Sequence, residues 1–147
     1  RCALTRFPAL KQVLGIDDDE TATPLWLDAF LKAARSAPAE LFGGSVTPDF
    51  EDSSRAWLSA HPVFRSHYAA SGPIPILFSS ANYLIRREVL ERLGYPFLDE
   101  RFDFTGGGDS DFFTRAKAAG FRFWWVQEAA QRETMPARRS EFGWIQA

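Results

Sequence analysis

The amino-acid sequence predicts an α/β fold of packed layers, and two observations carry that expectation. Segments with apolar residues at spacings of three and four alternate with short runs of apolar, β-branched and aromatic residues, as expected where helices cover a sheet. Glycine or proline closes many of the segments, as at Gly15, Pro38, Gly94 and Gly120. With 147 residues, 46% of them hydrophobic and 15% aromatic, the chain is one domain's worth of sequence and can bury a core.

The elements follow in order. A helix is expected over residues 3–14, where Leu4, Phe7, Leu10, Lys11 and Leu14 share one face, with Pro8 in the first turn and Gly15 as the end. The apolar piece before Asp17 reads as a buried strand end that delivers acids to a loop. Thr23 is then placed to cap a helix, with Pro24 at its first position; Trp26, Leu27, Phe30, Leu31 and Ala34 form its apolar face, and it ends near Ser36-Ala37-Pro38. Residues 40–48, "ELFGGSVTP", read as a strand stopped by proline, with Gly43-Gly44 allowing close backbone approach. Residues 49–75 read as irregular, a long functional loop or lid. A strand over 76–85 and a helix over 86–94, closed by Gly94, come next. A glycine turn, a helix from about Ser110 to Ala119, Gly120 as its stop and the strand "FRFWWV" complete the pattern. That aromatic strand is read as core, with Arg122 facing away. No internal repeat or low-complexity tract appears.

Composition excludes several classes of function. A formal charge of -2, from 17 basic and 19 acidic residues, gives no field for nucleic acid or an anionic membrane. The single cysteine, Cys2, excludes an internal disulfide and suits a reducing, cytoplasmic compartment. No apolar run approaches the roughly 18 residues of a spanning helix, and no signal peptide is visible. The sequence opens at Arg1, inside the first expected helix, and so reads as a piece of a longer protein.

Two acidic constellations bear on chemistry. In "GIDDDE", Asp17, Asp18, Asp19 and Glu20 need either water around them or a cation between them. At a strand end, Asp17 and Asp19 fall on the same side of the chain, and such oxygen donors suit Mg2+ or Mn2+, which bind substrate phosphates at the same time. A solvated acidic loop capping the next helix explains the same residues. In "TGGGDSDFF", Gly106, Gly107 and Gly108 let the backbone approach a ligand and lead into Asp109 and Asp111. The plainer readings are that Asp109 is an N-cap and that Asp111 complements the helix dipole. Glu133 is expected to follow a strand, and the paired arginines of "RRS", Arg138 to Ser140, either clamp a phosphate or solvate a tail. His61 and His67 have no metal-ligand company and read as surface residues.

The pieces "IDDDE", "PLWLDAFL", "GGSVTP", "SSANYLIRREVLERLG", "LDERFDFTGGGDSDFFTRAKAAGFRFWWV" and "EAAQRETMPARRS" stand in an order that resembles the family 2 glycosyltransferases, most closely the bacterial polysaccharide-synthesis enzymes related to succinoglycan glucosyltransferases. The resemblance runs from about Arg6 to Trp144. It implies a partial GT-A fold, a Rossmann-like nucleotide-diphospho-sugar transferase with a mixed sheet flanked by helices, of which residues 1–147 are the C-terminal portion. It also implies a nucleotide-sugar donor, a saccharide or lipid-linked saccharide acceptor, inversion at the anomeric carbon, no nucleic-acid partner, and a Mg2+ or Mn2+ cofactor. A cytoplasmic location at the inner face of the cell membrane, with peripheral association through regions outside this sequence, goes with that reading.

Residue by residue, the family's Asp-x-Asp motif maps onto Asp17 and Asp19, with Asp18 between them and Arg6 also on the donor side. The metal set implied is Asp19, Asp17 and Glu133. The general base maps onto Asp109, with Gly106, Gly107, Asp111 and Trp57 on the acceptor side and Arg138 as a phosphate contact. Two positions depart from the pattern: Gly108 stands where the family has a glutamate before the base, and Phe7 follows Arg6 where an asparagine is usual. Residues 49–75 then read as an acceptor-side flap, with Trp57 and Tyr68 available to stack on sugar rings. The alternatives are a catalytically inactive remnant or binding module with the same fold, and a metal-dependent phosphoryl-transfer enzyme using the same acids.

Overall fold

The computed structural model describes residues 2–94, 97, 99–102 and 106–141. Arg1, residues 103–105 ahead of the glycine turn, and Trp144 at the end of the family resemblance lie outside these. Among the described residues, six strands form one mixed sheet: β1 (Gln12–Ile16), β2 (Glu20–Ala22), β3 (Leu41–Phe50), β4 (Gly72–Ile74), β5 (Asn82–Arg86) and β6 (Phe123–Met135). Their order is β1-β5-β3-β6-β2, and β4 also pairs with β6. The β3–β6 pair is parallel, while the other pairs are antiparallel. The helices are α1 (Cys2–Arg6), α2 (Trp26–Ser36), α3 (Arg87–Leu93) and α4 (Gly108–Ala118). None of the helices among the described residues is long and apolar enough to cross a membrane.

Strand alternation builds the layers. In β3, β5 and β6, neighbouring apolar residues point to opposite faces, so each strand feeds two cores. Leu41, Ile85, Phe123 and Trp125 pack with Val89 of α3 and with Phe112, Phe113 and Ala116 of α4. Phe42, Leu84, Val126 and Ala129 pack on the other face with Phe30 and Ala34 of α2. The sequence pairs Leu41-Phe42, Leu84-Ile85 and Trp125-Val126 therefore place helices on both sides of the sheet.

Several elements depart from the sequence reading. The first helix ends at Arg6, because Pro8 cannot donate a helical hydrogen bond and biases Phe7 away from helical angles; Val13 and Leu14 join β1 instead. α2 begins at Trp26 with no side-chain cap, and Leu27 is exposed rather than on the apolar face. Pro48 does not stop β3, which continues to Phe50: beyond Gly43 this strand is paired only with β6, and proline is tolerated at such an edge. Residues 76–81 are not strand, and only Asn82–Arg86 pairs. Residues 49–75 are not a loose lid either. They hold two short 3-10 segments and β4, and Leu58 and Phe64 are buried against Met135 and Phe50.

β6 is longer than "FRFWWV" suggests and contains the irregularity that shapes the site. The β3–β6 register jumps from Gly44↔Val126 to Val46↔Gln131, so β6 bulges between them. Side chains from elsewhere satisfy the displaced carbonyls. Ser45 Oγ donates to Gln127 O at 3.0 Å, Asn82 Nδ2 to Ala129 O at 2.7 Å, and Thr23 Oγ1 to Ala130 O at 2.8 Å. Thr23 thus serves the bulge and not the helix it was expected to cap. Buried Asn82 also donates to Ser45 O at 3.0 Å and accepts from Trp26 Nε1 at 2.9 Å. Gly44 lies where a Cβ would run into Ala129 O and the Asn82 amide, so the close approach expected of Gly43-Gly44 is what lets the bulge pack. Replacing Asn82 by Ala leaves buried groups unpaired. The expected loss, measured by urea unfolding, is roughly 1–3 kcal/mol for each group left without a partner, whereas Ser54→Ala on the exposed surface should change little.

Candidate active site

Residues 17–20 form the tight turn between β1 and β2, closed by Glu20 N–H donating to Asp17 O at 3.2 Å. The turn is tied to β6, since Thr134 N–H donates to Asp19 O at 3.0 Å. Its side chains Asp17, Asp18 and Asp19 are exposed. Burial, followed by the charges of Asp19, Asp18 and Asp109, raises the Asp17 carboxyl above its ordinary range. The charge of Asp109, the smallest of these contributions, is the link between this turn and the second acidic constellation of the sequence.

Glu133 lies within β6 and does not follow it as the sequence suggested; it sits opposite Glu20 of β2 and in register with Pro48 of β3. Like charges directly opposite on paired strands repel, and three features relieve this pair. Arg139 Nη1 donates to Glu133 Oε1 at 2.8 Å and approaches Asp19 Oδ2 at 3.6 Å. The fully buried Gln131 amide lies against the Glu20 carboxylate, where its NH2 is the group able to donate. Burial, reinforced by the charges of Asp17, Glu133 and Asp19, pushes the Glu20 carboxyl up to about 7 against the opposing Asp17 N–H. The Glu133 carboxyl is raised as well, by burial and by Asp19, although Arg139 opposes the shift.

The remaining sequence candidates fall at different distances from this centre. Gly107, with φ 91°, is the N-cap of α4; half-buried Asp109 is in the first turn, its Oδ1 accepting from Ser110 N–H at 2.8 Å. Gly106 precedes it with φ 71°. Asp111 is engaged by Arg115 at 2.7 Å within α4. Arg6 is exposed at the end of α1, Trp57 is 65% exposed on a 3-10 segment, and Arg138 is exposed beside the half-buried Arg139. Of the paired arginines, Arg139 faces the acids.

A cavity of about 180 Å³ adjoins the centre. Glu20 and Glu133 line it together with Phe64, His67, Tyr68, Phe78 and Trp125; Trp57 is not among its lining residues. Tyr68 is held in place, donating to Ile76 O at 2.7 Å and packing on Trp125 with ring centroids 5.4 Å apart.

Among the described residues, no three His, Cys, Asp or Glu side chains converge as a ready-made metal cage. Mg2+ and Mn2+ do not require one, since they commonly take one or two carboxylates, waters and substrate phosphates. Asp17 and Asp19 fit that mode: both are exposed, both carry hard oxygen donors, and Asp19 contributes to the raised Asp17 carboxyl. Glu133 fits it less directly, because Arg139 already holds its carboxylate.

Comparison with known proteins adds a relative. The chain is 31% identical over 136 residues to the "Succinoglycan biosynthesis protein ExoM" of Rhizobium meliloti (strain 1021). The match covers 88% of this chain and 42% of that protein, so the chain spans less than half the length of the curated relative. No family model matches. Among solved structures, the crystal structure of A197 from STIV superposes with a TM-score of 0.56 at 14% identity, covering 86% of this chain and 59% of that one. At that identity the likeness is one of fold alone.

Sequence reasoning missed Glu20, Gln131, Asn82 and Arg139 as members of one network. The available signal was Asn82, a polar residue inside the expected strand 76–85, because a buried polar side chain needs hydrogen-bond partners. The raised Glu20 carboxyl has a consequence for stability. Between its ordinary 4.5 and about 7, the folded state holds a proton that the unfolded chain has released, so this contribution favours folding at the acid end and is lost as pH rises through about 7. Glu20→Gln should therefore raise the melting temperature relative to the parent at pH 8 and show little or no gain at pH 5. Thermal melts in metal-free buffer at both pH values test the sign.

Proposed function

We propose that the chain is part of an inverting glycosyltransferase of GT-A type that moves a sugar from a nucleotide-sugar donor to a saccharide acceptor in polysaccharide synthesis. What supports this reading is the exposed Asp17–Asp19 turn, whose Asp17 carboxyl feels the charge of Asp109, next to Glu20, which lines an aromatic-walled cavity. Similarity to a succinoglycan biosynthesis protein supports it.

In this reading Asp17 and Asp19 hold Mg2+ or Mn2+ on the donor diphosphate. When bound, the ion supplies positive charge that offsets the charge developing on the leaving nucleoside diphosphate. Asp109 accepts the proton of the acceptor hydroxyl as that oxygen bonds to the anomeric carbon and the bond from carbon to the diphosphate oxygen breaks. Its place in the first turn of α4, after two glycines in left-handed conformation, gives substrate a path unobstructed by side chains at Gly106 and Gly107. Arg139 is a resident cation that keeps Glu133 and Asp19 together before donor arrives.

Three measurements on the full-length protein test this. Calorimetry should show Mn2+ binding weakly alone and more tightly with a nucleoside diphosphate, and Asp19→Ala should weaken both. Asp109→Asn should lower kcat by about 10²–10⁴-fold with donor and metal affinity nearly unchanged; transfer at the parental rate would remove Asp109 from the role of base. Arg139→Gln should raise the affinity for Mn2+ in the absence of nucleotide, because a competing cation has left the carboxylates. Full donor binding with no transfer to any saccharide would instead favour the binding-module reading, which Gly108 in place of the family's glutamate already motivates.

A further inference from the structure

Resting on that reading, we propose that the cavity of about 180 Å³ receives one ring of the acceptor, a pyranose without an acidic group, laid against the face of Phe78. The size points to a single ring, since pockets for drug-sized ligands run to about 300–1,000 Å³. The walls point to a sugar. Phe78 is 51% exposed although it lines a cavity, and its ring stacks on His67 with centroids 4.7 Å apart and on Tyr68 at 6.3 Å. Tyr68 is in turn fixed by Ile76 and Trp125, so Phe78 is held in a braced stack while half of its surface stays open. The electron-rich face of an aromatic ring attracts the C–H face of a pyranose, whose bonds are weakly positive. The hydroxyl edge then has the carboxylates of Glu20 and Glu133, which also line the cavity, as hydrogen-bond acceptors.

The same carboxylates set the selection. Glu20 and Glu133 sit directly opposite each other on β2 and β6, and Arg139 is already committed to Glu133 and Asp19. Arg65 lines the cavity from an exposed position. A carboxylated or phosphorylated ring would bring another negative charge to this cluster. An uncharged ring avoids that repulsion.

This placement differs from the stacking residues suggested by the sequence. Trp57 is large and exposed but outside the cavity, whereas Tyr68 braces the wall. Saturation-transfer NMR on the full-length protein, with methyl glucoside, cellobiose and glucuronic acid as probes, distinguishes the arrangements. The neutral sugars should bind, with saturation reaching their ring C–H protons, and glucuronic acid should bind several-fold more weakly. Phe78→Ala, an exposed position where folding should persist, should weaken cellobiose binding about three- to tenfold, the fold-change for one lost aromatic contact, while Trp57→Ala leaves it unchanged. Equal binding of the acidic and neutral sugars, loss of binding in Trp57→Ala but not in Phe78→Ala, or no saccharide binding by the parent protein would each overturn the proposal. Mn2+ and nucleoside diphosphate binding in Phe78→Ala separates the two levels: if it persists while sugar binding is parental, the cavity assignment fails and the donor site stands.

Discussion

The site depends on one amide. Asn82 is buried at the start of β5, and its side chain reaches the Ser45 and Ala129 carbonyls and the Trp26 indole. These contacts bridge three strands and a helix at the point where β6 departs from the register of β3. A bulge in a central strand leaves carbonyls without ladder partners, and in a buried setting each such group costs about 1–3 kcal/mol unless a donor is found. Asn82, Ser45 and Thr23 provide those donors. With the bulge satisfied, β6 resumes pairing shifted along β3, and its second half carries Gln131, Glu133 and Thr134 to the acidic turn.

What the bulge delivers is an electrostatic conflict. Glu20 and Glu133 face each other across β2 and β6 within reach of Asp17 and Asp19. An apolar pair at these positions would avoid the repulsion, which Arg139 at Glu133 and the Asp17 N–H at Glu20 offset. Arg139 is the more consequential of the two. As a fixed cation shared unequally between Glu133 at 2.8 Å and Asp19 at 3.6 Å, it leaves the Asp19 carboxylate the less committed. A group arranged in this way can give up one partner to a second cation without losing the other.

Much of this was legible in the sequence, and the parts that were not have identifiable physical causes. Paired apolar residues such as Leu41-Phe42 and Leu84-Ile85 announced a sheet covered on both faces, and the run Asp17-Asp18-Asp19 announced a turn under electrostatic tension. The far half of β6 did not announce itself. Residues 127–133 read "QEAAQRE", a composition that favours helix, and strand pairing with β2 and β3 overrides that weak preference. Residues 3–14 failed in the opposite sense: their spacing suits a helix, but a single proline divides them. Arg139 was visible only as one of two adjacent arginines, because nothing local tells which one turns toward carboxylates carried by distant strands.

Glu133 belongs to two environments at once. Its carboxylate is held by Arg139 beside Asp19, where the donor reading places a diphosphate, and it also lines the aromatic cavity proposed for the acceptor. The backbone repeats the connection, because the next residue, Thr134, donates to Asp19 O, and Met135, one further on, packs against Phe64 in the cavity wall. A displacement of β6 beyond its bulge would therefore move the acidic turn and the cavity together. The two halves of the proposed reaction would thus share one strand, with Glu133 as the residue common to both.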